Sequence, residues 1–226
     1  MERLLEHYPM DPLPLGMRAN FVASIDGGVS IDGGSGALSS EEDKVIFRLL
    51  RATAAAVVVG AGTVAAEHYG PIRIPESLRN IRASVDHSPG PRLVVIANPS
   101  KPLNWMPKVA DPALPAIVVF TDDAAELTLP DGIIDGSSVY GSADPWEVIA
   151  RLVRESRLPV LCEGGPALLT RALDQGLIAE VCLTQRPMLL GSQTTHLVGE
   201  LTHPISLRLA ATIETDIQRF DRYVVH

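Results

Sequence analysis

Glu163-Gly164-Gly165-Pro166 places a carboxylate and paired glycines between a short apolar run, residues 158–162, and an amphipathic stretch, residues 167–173, that ends at Gly176. That order predicts a strand feeding a helix through a glycine turn. Such a turn leaves backbone N–H groups free at a helix N-terminus, which carries about half a unit of positive charge and suits a phosphate. Pro166 stands where a first-turn proline belongs, because its missing donor costs nothing there. A tight turn with no ligand fits the same residues. A second stretch repeats the logic: the β-branched run 57–59 opens into Gly60-Ala61-Gly62-Thr63-Val64-Ala65. It matches the dinucleotide pattern G-x-G-x-x-A, whose glycines permit a tight turn and close approach to a pyrophosphate. It does not lie on the first strand, and no acidic residue closes the next strand; Asp86, the nearest, sits in loop-like surroundings. A Rossmann domain is therefore the second-ranked architecture. Two phosphate-friendly turns on one sheet still point to a nucleotide or dinucleotide ligand.

The elements that must carry these turns alternate. A first strand over 18–24 ends at Asp26-Gly27-Gly28, where Asp26 reads as a turn former. Residues 31–37 are glycine-rich and read as a mobile loop. Ser39 or Ser40 caps a helix, with Glu42 or Asp43 completing a capping box, and Val45, Ile46, Leu49 and Leu50 form its apolar face. Strands are expected at 55–59, 93–96, 117–120 and 180–184, and a helix opens at Pro145 behind an Asp144 cap. The stretch 71–91 shows no clear period, and a proline-rich connection separates the third and fourth strands. The tail, 206–225, alternates apolar and polar residues as a terminal antiparallel pair would. The expected fold is α/β in three layers: a mixed, mostly parallel sheet with helices on both faces and a C-terminal antiparallel strand pair.

Length and composition bound the function classes. The 226 residues suffice for one sizeable core, so a single domain over 1–226 is expected, with 1–16 as an N-terminal arm. Hydrophobic content of 46% with 20% charged residues indicates a globular chain. A net charge of −8 without a basic patch argues against a nucleic-acid partner. No apolar run approaches the roughly 20 residues of a membrane span, and the acidic first residues do not resemble a signal peptide. Cys162 and Cys182 lie in strand-like runs and read as structural thiols of a reducing cytoplasm. The histidines show no metal-ligand spacing, and no metal is expected.

Phe21-Val22-Ala23-Ser24-Ile25-Asp26-Gly27, Leu50-Arg51, Gly60-Ala61-Gly62-Thr63-Val64, Glu163-Gly164-Gly165-Pro166, Gly176-Leu177-Ile178-Ala179-Glu180 and Pro187-Met188-Leu189-Leu190-Gly191 together resemble consecutive motifs of the pyrimidine reductases of riboflavin biosynthesis. The fold of that family is similar to that of dihydrofolate reductase, and the resemblance spans residue 17 to the C-terminus. The H-x-E and P-C-x-x-C signatures of the deaminase domain that precedes it in bifunctional forms are absent, so a reductase-only relative is expected. The resemblance implies hydride transfer from NADPH to a phosphoribosylamino-pyrimidine, a cytoplasmic enzyme and a homodimer. It implies cofactor contacts at Ala23, Gly60, Gly62, Thr63 and Glu67. Gly164, Gly165, Pro166, Ala167 and Leu168 would form the phosphate turn, the last four through backbone donors. Glu163 would sit near the reacting end, and Arg51 and Arg73 would reach the substrate. Blander roles fit some of these residues equally: Arg51 as a helix C-terminal cation, Thr63 as a helix cap. Arg73, Arg79 and Arg82 are candidate partners of a 2′-phosphate.

Two departures from the family pattern bear on substrate. Where these reductases carry a D-D-P-x-L-T-x-R stretch, this chain reads Glu67-His68-Tyr69-Gly70-Pro71-Ile72-Arg73. Asp43 occupies a helix position that is small in the riboflavin enzymes and carries the pterin-binding carboxylate in dihydrofolate reductases. A catalytic, substrate-binding Asp43 would hydrogen-bond a pterin and assist its protonation, whereas a capping box accounts for the same residue without a ligand. A pterin reductase and a nucleotide-binding relative without turnover are the alternatives.

Overall fold

The computed structural model describes residues 2–11, 13, 16–98, 104–109, 111, 113–121, 138–141 and 144–226. Part of the proline-rich connection after the third strand (99–103, 110, 112) lies outside them. Among the described residues, nine strands form one sheet: β1 (Met17–Ser24), β2 (Ala56–Gly60), β3 (Arg92–Ala97), β4 (Ile117–Phe120), β5 (Ser138–Gly141), β6 (Val160–Gly164), β7 (Ile178–Arg186), β8 (Leu207–Glu214) and β9 (Arg219–Val225), in the order β5-β4-β3-β2-β6-β1-β7-β9-β8. All neighbours are parallel except β7–β9 and β8–β9, which are antiparallel.

The layers follow from side-chain alternation. In β2, Val57 and Val59 face one cluster while Ala56 and Val58 face another; β3 and β4 divide in the same way. On the first face pack α1 (Glu2–His7), α2 (Glu41–Ala52), α3 (Ala61–Ala66) and α5 (Met106–Val109), through Leu4, Ile46, Leu50, Val64, Met106 and Val109. On the second pack α6 (Pro145–Glu155) and α7 (Pro166–Asp174), through Ile149, Val153, Leu168, Leu169, Ala172 and Leu173. Parallel strands buried on both faces read as continuous apolar runs, which is why the central strands are legible in sequence.

Three expectations need correction. Residues 71–91 contain α4 (Arg79–Val85), whose Ile81 packs against a small cluster of Leu49, Ala52, Ile74 and Leu78. The helix is too short to show a period. The glycine loop 31–37 is built, not featureless: Ile31 and Gly34 exchange backbone hydrogen bonds around Asp32 (φ +51°) and Gly33 (φ +85°), a two-residue type I′ turn. The Asp43 carboxylate does not close a capping box. Ser40 Oγ accepts the Asp43 N–H at 3.0 Å as expected of a cap, but no bond returns from the Asp43 side chain to the Ser40 backbone.

The arm is anchored by buried charge. Arg18 and Arg222 both pair with Glu180, and they donate outward to the Pro9 and His7 carbonyls at 2.9 and 2.7 Å. Cys162 and Cys182 are free, buried and on opposite faces of the sheet. Burial pushes both thiols up to about 12, so neither is a ready nucleophile.

Candidate active site

Adjacent parallel strands bring the two glycine turns together. β2 and β6 pair as far as Val58↔Cys162, then slip so that Val59 lies opposite Gly164. Glu163 is the extra residue at that shift. Strand alternation already sets it on the Leu161 side of β6, the face on which α2 packs, so its carboxylate meets Arg51. The turns then nearly touch: a Cβ on Gly165 would stand 2.5 Å from Thr63 Oγ1, and Gly165 has φ +73°. Glycine is required at that position on both counts.

Both turns border a cleft of about 680 Å³. Its remaining walls are Asn20–Val22 of β1, the loop Ser30–Gly36, the face of α2 bearing Asp43, Phe47 and Arg51, and residues 66–73. Glu67 accepts the Ser35 N–H at 2.8 Å and so ties the glycine loop to the end of α3.

Besides Glu67, the cleft holds two carboxylates in opposite settings, Glu163 and Asp43. Glu163 accepts Arg51 Nε at 2.8 Å, Arg51 Nη2 at 2.6 Å and the Tyr69 hydroxyl at 2.6 Å. The Glu163 side chain is 2% exposed and that of Arg51 19%. Arg51 also lies over the rings of Phe47 (3.9 Å) and Tyr69 (5.1 Å). Burial works against the Arg51 charge, but Glu163 outweighs it and raises the guanidinium pKa. The Tyr69 phenol is held well above its ordinary range by burial first and the Glu163 charge second, so it remains a donor. Among the described residues, no cation stands within bonding distance of Asp43. Its oxygens accept hydroxyls only, Thr184 Oγ1 at 2.6 Å and Ser39 Oγ, which keeps it buried yet facing the cleft.

Most of the expected site residues converge here. Asp43, Glu163, Arg51, Arg73, Gly62, Thr63, Glu67, Gly165 and Pro166 line the cleft. Ala23, Gly60, Gly164, Ala167 and Leu168 are not among its lining residues: Ala23 is buried near the end of β1, and Gly60 and Gly164 lie close together where the two strands end. The phosphate turn is narrower than expected. Pro166 has no N–H, the Leu168 N–H begins the helix ladder on the Gly165 carbonyl at 3.1 Å, and the Gly165 N–H bends back to the Glu163 carbonyl at 3.3 Å. The Ala167 N–H has no acceptor among the described residues.

Arg82 is excluded from a ligand role. It is buried and holds the carbonyls of Ala52, Ala54, Ser88 and Gly90 besides Asp86. Arg73 and Arg79 are exposed, Arg73 pairing with Asp111 at 2.7 Å. Beside the cleft, Lys44, Phe47, Arg48 and Arg51, which share one face of α2, meet Arg73 across a recess of about 260 Å³. Asp26 serves more than its own turn: it accepts the Leu190 and Gly191 N–H groups, and with Ser24 first among its donors its carboxyl is lowered to about 2. Tyr69, Ser39 and Thr184 carried no local sequence signal for their roles, because each acts across the fold. No group of residues suited to holding a metal ion is present among the described residues. No helix among them is long and apolar enough to cross a membrane.

Comparison with known proteins places this geometry. A search of curated protein sequences returned no match. Among solved structures, a pyrimidine reductase-like protein from Corynebacterium diphtheriae superposes with a TM-score of 0.81 at 24% identity, over 99% of this chain and 98% of that one. The riboflavin biosynthesis reductase of Saccharomyces cerevisiae gives 0.66 at 17% identity over 99% and 98%. Dihydrofolate reductase from Enterococcus faecalis, in complex with NADP(H), gives 0.54 at 13% over 95% and 98%. At these identities the likeness establishes the fold, which is dihydrofolate reductase-like. The RibD C-terminal domain profile matches residues 17–219, and the chain belongs to that family of riboflavin-biosynthesis reductases.

Proposed function

We propose that the chain is one reductase domain that uses NADPH to reduce a phosphoribosylamino-pyrimidine in the cytoplasm. The observation that carries this reading is the convergence of the two glycine turns on the cleft that also presents Asp43, Arg51 and Glu163. The cofactor fits the residues present. Gly165 leaves no Cβ in the turn, the Ala167 N–H is unpartnered at the start of α7, and nothing stands within 4 Å of where a Gly62 Cβ would project. Bound NADPH supplies the hydride. Thr63 and Glu67 would border the nicotinamide end, and the glycine loop that Glu67 tethers would exclude water from it. Both cations are paired, Arg51 with Glu163 and Arg73 with Asp111, but Arg73 is 77% exposed against 19% for Arg51 and is the more accessible to a phosphate. Lys44 and Arg48 add positive charge to the same recess and would favour an anionic substrate tail.

A second substrate reading, a pterin, rests on Asp43. Its carboxylate is held towards the cleft by two hydroxyls and no cation, an arrangement suited to accepting hydrogen bonds from an aminopyrimidine edge. Homodimerisation is also proposed: the edge strand β8 leaves Leu207 and Leu209 about half exposed, at 46% and 50%, an apolar strip suited to a second copy. Sedimentation as a monomer at micromolar concentration would remove that element.

The deciding measurement is NADPH oxidation by the purified protein with the phosphoribosylamino-pyrimidine and, separately, with dihydrofolate. Turnover of the first supports the principal reading and turnover of the second the pterin. Cofactor binding without oxidation of either points to a nucleotide-binding protein lacking turnover.

A further inference from the structure

Tyr69 reaches the cleft through a specific local geometry. α3 ends with Glu67, His68 adopts a left-handed conformation (φ +53°), and the Tyr69 N–H donates to the Val64 carbonyl at 3.0 Å. This is the six-to-one bond of a Schellman ending, with histidine where glycine is usual. The reversal sends the phenol back across the end of α2. Its ring then lies against the Arg51 guanidinium, and its hydroxyl reaches Glu163 Oε2 at 2.6 Å. The guanidinium also lies over the Phe47 ring, 3.9 Å from its centroid.

Glu163 therefore accepts three hydrogen bonds from two residues. Arg51 alone would leave the carboxylate one firm partner and leave the guanidinium free to rotate with it. The phenol fixes the carboxylate from a third direction, and hydrogen bonds to an ionised group are the strong ones. We propose that Tyr69 is a positioning residue: through Glu163 it holds Arg51 as a rigid part of the cleft wall. The inference rests on the reading of this cleft as the substrate site. It also bears on specificity. With Glu163 balancing its charge, Arg51 offers directed N–H donors with little net charge. That suits the carbonyl edge of a neutral heterocycle better than a phosphate, whose charge falls to Arg73, Arg48 and Lys44.

The test uses Tyr69→Phe, which keeps the ring and removes the hydroxyl, in the full chain. The first readout is independent of turnover. Arg51 is modified by an arginine-selective dicarbonyl and quantified by peptide mass spectrometry. Release from Glu163 should raise the modification rate of Arg51 severalfold in Tyr69→Phe while leaving exposed Arg79 unchanged; an unaltered Arg51 rate overturns the proposal. The second readout is a double-mutant cycle with Glu163→Gln. Tyr69→Phe should raise the substrate KM about tenfold, the scale of one lost interaction of 1.4 kcal/mol, with kcat and NADPH affinity little changed. In the Glu163→Gln background it should add nothing, whereas fully additive effects overturn the coupling. If Tyr69→Phe unfolds too readily for kinetics, Glu163→Gln must itself expose Arg51 to the reagent, and continued protection counts against the proposal. Wild-type protein that oxidises NADPH with neither substrate ends the functional reading, while Arg51 protection still decides the role of Tyr69.

Discussion

Thr63 Oγ1 occupies the space that a side chain at Gly165 would need, 2.5 Å from the ideal Cβ position, and Gly165 has φ +73°. The relationship couples two turns separated by a hundred residues of chain. It yields a prediction that a loose loop would not. Gly165→Ala should lower NADPH affinity about tenfold or more. With φ +73° and ψ +153° the residue lies in a region essentially restricted to glycine, which costs about 1–3 kcal/mol for an L-residue and corresponds to a fall of about 2–12 °C in melting temperature for a chain of this size. Calorimetric titration and thermal melts on the same sample separate the two effects. Thr63→Gly combined with Gly165→Ala should recover part of the stability, because the steric conflict is gone and the φ strain remains. No recovery would mean the contact is not what excludes the side chain.

Arg82 distinguishes a structural cation from a cofactor-binding one. Removing it leaves the Ala52 and Ala54 carbonyls without this donor, while Gly90 keeps the Ser88 hydroxyl. Asp86 is 39% exposed and keeps access to water, but a buried acceptor left unsatisfied typically costs about 1–3 kcal/mol. Arg82→Met should therefore melt earlier, yet keep NADPH affinity wherever it is folded. Arg73→Gln should do the opposite, with an almost unchanged melt and a weakened preference for NADPH over NADH or for the phosphorylated substrate. Equal effects of both variants on cofactor affinity would argue against this division.

The contrast shows what the sequence could convey. Both glycine turns, the central strands themselves and the Asp144 cap on α6 were legible because each is local: an apolar run, a glycine, a capping side chain. Arg82 and Arg73 looked alike in sequence, and only packing separates them. The partnership of Glu163 with Arg51 and Tyr69 spans 112 and 94 residues and depends on packing that no local pattern announces. α4, at seven residues, was hidden for a simpler reason: two turns of helix are too few to establish a period.

The N-terminal arm should be sensitive to mild acid. His7 is buried edge-on to the Tyr8 ring at 4.5 Å, and its Nε2 has no partner. Burial first, then the Arg222 and Arg3 charges, lower its pKa below 6.5, with Asp221 opposing. The unfolded chain thus binds the proton more readily than the folded one, so stability rises with pH through this range. The His7 contribution is complete above pH 6.5 and is lost as pH falls below it. Melting temperature followed downward from neutrality should drop in wild type and flatten in His7→Gln. An identical slope in both would remove His7 from the account.

Asp43 decides between the two substrates, and the geometry makes the test cleaner than a cap would have allowed. Ser40 caps α2 with its own hydroxyl, so replacing the Asp43 side chain leaves that bond intact. Asp43→Asn retains an oxygen that can accept from Thr184 or Ser39 and should melt close to wild type. Asp43→Ala leaves both hydroxyls without this partner and should lose about 1–3 kcal/mol. If a pterin is the substrate, both variants should cut dihydrofolate reduction by about 10²–10⁴, the usual worth of a positioned acid or base, with NADPH affinity retained. If the phosphoribosylamino-pyrimidine is the substrate, the rate should track the loss of stability and hydrogen bonding, with Asn milder than Ala. Wild-type protein active on the pyrimidine and inert towards dihydrofolate would end the pterin reading, and Asp43 would then be explained by the hydroxyls it holds between α2 and β7.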